Sequence, residues 1–98
     1  MYEFIEKQET KQELKPPAMW NVVIHNDDFT TMEFVIVCLM MVFNKTQEDA
    51  TIITMNVHRQ GKGIAGTYTH DIALTKQTTA LDFAKSQEHP LLITVEQV

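Results

Sequence analysis

His25-Asn26-Asp27-Asp28 gathers an imidazole, an amide and two carboxylates in four consecutive residues, a set rich in acceptors and negative charge that could hold a cation. Asn and Asp also bond their own backbone two residues on, so a solvated turn competes with a cation site. A metal is not indicated. His25, Asp27 and Asp28 lack the spacing of zinc or calcium motifs, and Cys38, the only cysteine, can form neither a thiolate cluster nor an internal disulfide. His58 stands three residues before Gly61. At a helix end it either complements the dipole as a cation or serves as a ligand, histidine being the side chain most readily poised near neutral pH. His70 and His89 border a later helical stretch and fit capping or surface roles.

Catalysis finds little support. The sequence has no Gly-rich phosphate loop, no nucleophile elbow and no His-Glu-x-x-His motif. An Asp27/His58 pair acting on a threonine nucleophile has no surrounding motif, and no cofactor is implied. Met32, Met40, Met41 and Met55 lie in or beside apolar stretches, where methionine either fills a core or forms a surface adaptable to varied apolar side chains.

These residues need elements to position them. Trp20, Val22 and Ile24 alternate with a mixed set, the pattern of a half-buried strand, which stops at the Asn26-Asp27-Asp28 turn. Thr30 and Glu33 then have capping-box spacing, with Thr30 as cap. A helix follows over Met32 to Phe43. Ten consecutive apolar residues, Phe34 to Phe43, exceed what a one-sided helix buries, so the extra face must be covered or used. Thr46 caps a second helix with Ala50, Ile53, Thr54 and Val57 at helical spacing, and Gly61 stops it. Gly63 to Tyr68 reads as a strand whose glycines allow close packing or a bulge. Thr69 or His70 opens a third helix that ends by Pro90, and Leu91 to Glu96 is the last strand. The order strand, helix, helix, strand, helix, strand predicts one α+β domain over residues 18–98, with a three-stranded sheet packed against three helices. Residues 1–17 are expected to form a flexible tail, with a short helix from Ile5 to Leu14 as the alternative.

The 98 residues, 44% hydrophobic and 21% charged, suit a single core. A net charge of -5 argues against nucleic acid, which demands a basic face. No basic-then-apolar leader opens the chain, and no apolar run approaches the ~20 residues of a membrane span. With its lone cysteine, the chain is expected in the cytoplasm, as a monomer, without nucleic-acid or membrane partners.

Several stretches together resemble the ClpS family, bacterial adaptors that recognise N-degrons: Lys15-Pro16-Pro17, Asn26-Asp27-Asp28-Phe29-Thr30, Met32-Glu33-Phe34-Val35, Val57-His58, Gln60-Gly61-Lys62, Thr75-Lys76 and Glu88-His89-Pro90-Leu91-Leu92. Each is weak alone; their order and spacing are specific. The resemblance implies a βααβαβ domain with an antiparallel sheet, and capture of proteins by a bulky N-terminal Leu, Phe, Tyr or Trp for delivery to the N-terminal domain of a ClpA-type unfoldase working with ClpP. It further implies that Asn26, Asp27 and His58 hold the substrate α-amino group. Thr30, Met32, Val35, Val57 and Leu91 would shape the cavity, with Met32 as gate and Cys38 as floor, and Asp71 and Lys76 would meet the unfoldase. Thr54 stands where an apolar wall residue is usual, making the cavity larger or more polar. Thr31 replaces a frequent proline, and Leu74 a common acidic residue. The rival expectation is a non-catalytic interaction module resembling the C-terminal domain of the ribosomal stalk protein, which has no amino-group site.

Overall fold

The computed structural model describes residues 15–98. Most of the expected tail, residues 1–14, lies outside the described residues; Lys15, Pro16 and Pro17 are exposed. The elements are β1 (Met19–His25), α1 (Met32–Phe43), α2 (Gln47–Gln60), β2 (Lys62–Thr69), α3 (His70–Ser86) and β3 (Leu92–Gln97). This is the predicted order, and the sheet is antiparallel, arranged β2-β1-β3.

The first strand occupies the centre because it carries apolar residues on both faces: Val22 and Ile24 are fully buried, and Val23 between them is buried as well. A central strand flanked on both edges can be apolar throughout. Val22 and Ile24 join Phe34, Val35, Cys38 and Leu39 of α1, Ala50 and Val57 of α2, Ala73, Ala80 and Ala84 of α3, and Leu91 and Ile93 in one core. The expected irregularity in β2 falls at Ala65, skipped where Val22 pairs with Gly66 and Val23 with Ile64.

The run Phe34 to Phe43 is helical despite its β-branched residues, because a threonine cap starts it and the core covers a broad face of it. That cap is Thr31, not Thr30. Its side chain accepts from the Phe34 amide at 3.1 Å, while the Thr30 amide is engaged by Asp27. Thr31 therefore precedes the helix, and Met32 is its first residue. Asn44, left-handed at φ 56°, closes the helix. The extra apolar face is not covered by the described residues: Val37, Met40 and Met41 remain exposed.

Thr46 caps α2 as expected, accepting from the Asp49 amide. Gly61 ends it at φ 87°, a left-handed turn that suits glycine. Gly63 lets β2 lie directly on α2, since a Cβ there would come within 2.9 Å of a Val57 methyl. The chain thus doubles back tightly behind His58. The third helix ends before Pro90, at Ser86, through the left-handed Glu88 and a bond from the His89 amide to the Ala84 carbonyl.

Candidate functional site

A single backbone bond organises the candidate site. The Asn26 amide donates to the Gly61 carbonyl at 2.8 Å, tying the turn after β1 to the C-terminal end of α2. The tie holds Asn26 at the end of the helix that carries His58 three residues before Gly61, and both residues are exposed. His25, the first of the polar run, turns elsewhere: its Nε2 lies 2.8 Å from Thr94 Oγ1 and 4.0 Å from the Glu96 carboxylate on β3.

Asp27 builds the turn. Its Oδ1 accepts from the amides of Phe29 and Thr30 at 2.8 and 2.7 Å, the self-capping that Asx residues favour. Its Oδ2 is buried without a hydrogen-bond partner among the described residues, as are Thr30 Oγ1 and His89 Nδ1. Burial raises the carboxyl's pKa, while the Phe29 and Thr30 amides and the nearby His89 lower it, and on balance the group lies below the usual aspartate value. Asp27 is thus a fixed negative charge at the base of the turn, with one oxygen already spent on local structure.

Most of the residues predicted to shape a cavity are packed into the interior. Val35, Cys38, Val57 and Leu91 belong to the core, and Thr54 is buried with them. Met32 and Thr30 are half-buried. Burial pushes the Cys38 thiol up to about 11, so it stays protonated and behaves as a small apolar side chain rather than a nucleophile. A neighbouring open cavity of about 660 Å³, lined by Phe29, Leu81, Lys85, Glu88, His89, Pro90 and Leu91, shares only Leu91 with the predicted set.

Two residues take places that the sequence did not suggest. His89, expected at the surface or as a cap, stacks on Phe34 with ring centroids 4.3 Å apart and contributes to the field at Asp27. The hint available was Pro90, which disfavours a helical conformation at the preceding residue. Lys76, expected on a docking surface, is half-buried. Its Nζ donates to the Val42 carbonyl at 2.7 Å and lies 5.9 Å from the Tyr68 ring centroid, supplying the cation that the last turn of α1 lacks. Asp71 is exposed in the first turn of α3. Among the described residues no group of His, Cys, Asp and Glu is placed to hold a metal, and no helix is long and apolar enough to cross a membrane.

The family model described as the ATP-dependent Clp protease adaptor protein ClpS matches residues 15–94. An ATP-dependent Clp protease adapter protein ClpS from Vibrio atlanticus is 50% identical over 96 residues, covering 98% of this chain and 89% of that protein. The protein of the same description from Desulforapulum autotrophicum is 52% identical over 81 residues, 83% and 78% of the two chains. Among solved structures, Agrobacterium tumefaciens ClpS2 bound to L-phenylalaninamide superposes with a TM-score of 0.81 at 35% identity, covering 85% of this chain and all of that one. Identity of this order along almost the whole length, on the same fold, leaves the stalk-like module without support: the chain belongs to the ClpS family, the non-catalytic adaptors of the ATP-dependent Clp protease.

Proposed function

We propose that this chain captures proteins through a bulky hydrophobic N-terminal residue, Leu, Phe, Tyr or Trp, and delivers them to a ClpA-type unfoldase for degradation by ClpP. The observation that carries this reading is the Asn26–Gly61 backbone tie, which joins the turn bearing exposed Asn26 to the end of the helix bearing exposed His58, a helix whose Thr54 and Val57 are buried. A protein N-terminus offers the matching chemistry, an ammonium beside an apolar side chain. L-phenylalaninamide, the molecule bound to the Agrobacterium relative, has the same two groups and an amide in place of a carboxylate.

In this reading Asn26 Oδ1 and a neutral His58 nitrogen accept from the ammonium. Asp27 supplies the counter-charge from behind the turn, because its Oδ1 is occupied by two amides. Met32 yields to admit the side chain into the seam formed by Thr30, Val35, Cys38, Thr54, Val57 and Leu91. Asp71 and the unspent donors of Lys76 meet the N-terminal domain of the unfoldase. The chain works as a cytoplasmic monomer, with residues 1–17 serving delivery. A labelled peptide starting with Leu should bind, and its N-acetylated twin should not; equal binding of the two would refute capture through the amine.

A further inference from the structure

Thr54 is the one polar side chain buried in the described core, at 2% exposure, and its hydroxyl has no hydrogen-bond partner there. Three other helical threonines satisfy themselves: Thr51, Thr75 and Thr79 each donate to the carbonyl four residues earlier, at 2.7, 3.0 and 2.8 Å. Thr54 could do the same on Ala50 and does not. Its hydroxyl is left unpaired in an apolar setting, which is costly unless a bound group completes it.

Its position says which group. Thr54 lies four residues before His58, so the two share one side of α2 about 6 Å apart along the axis. Helical side chains lean toward the N-terminus, which makes His58 overhang Thr54. His58 is exposed, Thr54 is buried, and Val57 beside them is buried too; the line from His58 to Thr54 runs from the surface into the interior. A terminal residue held at His58 by its amine sends its side chain down this line, and the tip of a long aromatic side chain arrives at the Thr54 hydroxyl.

Building on the proposed capture of N-terminal residues, we propose that Thr54 is a specificity-determining residue whose hydroxyl selects N-terminal tyrosine over phenylalanine. The phenol both donates and accepts, so it satisfies Thr54 while finding a partner for itself. Phenylalanine leaves the hydroxyl as unpaired as it is in the free protein, and sites with a buried polar group discriminate against analogues lacking its partner.

The test is a set of titrations with peptides identical except for Tyr or Phe at the N-terminus, each alongside its N-acetylated twin. The unmodified protein should bind the Tyr peptide roughly three- to tenfold more tightly, the factor expected for one neutral hydrogen bond. Thr54→Val, which keeps the shape and removes the hydroxyl, should reverse the order, since the phenol is then buried unpaired; Thr54→Ser should keep it. Acetylation-sensitive binding with equal Tyr and Phe affinities overturns this inference alone, as does a Thr54→Val variant that still prefers Tyr. Binding insensitive to acetylation overturns the amine site and this inference with it.

Discussion

Replacing Asp27 separates the two tasks its carboxylate performs. Asp27→Ala removes the acceptor of two amide bonds at 2.7 and 2.8 Å. Hydrogen bonds to a charged group contribute about 1.5–3 kcal/mol each when buried, but Phe29 is exposed, and water replaces the partner of its freed amide. Loss of the bond to half-buried Thr30 remains, comparable to losing a helix cap at about 0.5–2 kcal/mol. Removing the partnerless Oδ2 recovers part of that, for a net loss of about 1–1.5 kcal/mol at pH 7. The carboxyl's pKa is lowered in the folded protein, so its contribution is present above the unfolded value of about 3.9 and disappears as pH falls through the folded value. Urea unfolding at pH 7 and below pH 3 should therefore show a gap between unmodified protein and alanine variant that narrows in acid. Asp27→Asn keeps Oδ1 as an acceptor and should hold stability within about 0.5 kcal/mol. Loss of its charge should still weaken peptide binding about fivefold, as for a partly solvated ion pair. A gap that does not change with pH, or an asparagine variant as unstable as the alanine one, would refute the division of labour between Oδ1 and the charge.

His58→Ala should fold normally, since the ring is exposed, while weakening a Leu-initiated peptide by about 1.5–3 kcal/mol in a titration at pH 7.5; unchanged affinity would remove His58 from the site. Met32→Ala should raise affinity for peptides starting with Ile or Val, whose branching at Cβ meets the gate, more than for Leu, and a uniform change across the three would argue against gating. Lys76→Met should both lower the melting temperature, by loss of the bond to the Val42 carbonyl, and weaken binding to the unfoldase N-terminal domain, whereas Asp71→Ala should weaken only the latter; calorimetry and a pull-down titration separate the two. Deleting residues 1–14 should leave peptide affinity unchanged and slow degradation by the assembled protease, and undiminished degradation would exclude a delivery role for that segment.

The order of elements, the span of α1 and the caps of α2 could be read from the sequence because each depends on residues within a few positions of one another. Apolar periodicity, threonine before acidic residues, and glycine after the last turn act locally. The candidate residues Asn26, Asp27 and His58 were visible for the same reason, each marking the end of an element. What local pattern could not resolve was the choice between adjacent, chemically identical residues. Thr30 and Thr31 are equally good caps, and Asp27, by engaging the Thr30 amide, leaves the cap to Thr31.

Contacts between distant parts of the chain decided the rest. His89 is half-buried because Phe34 offers it a ring to stack on, and Lys76 is tied down because α1 ends with its Val42 carbonyl within reach; neither partner is signalled by neighbours in sequence. Thr54 was placed on the inward face of α2 by its spacing. That its hydroxyl is buried unpaired follows only from how α2 seats in the core. Chain-local physics determined which elements form and where they stop, and their packing determined which polar atoms are buried away from solvent.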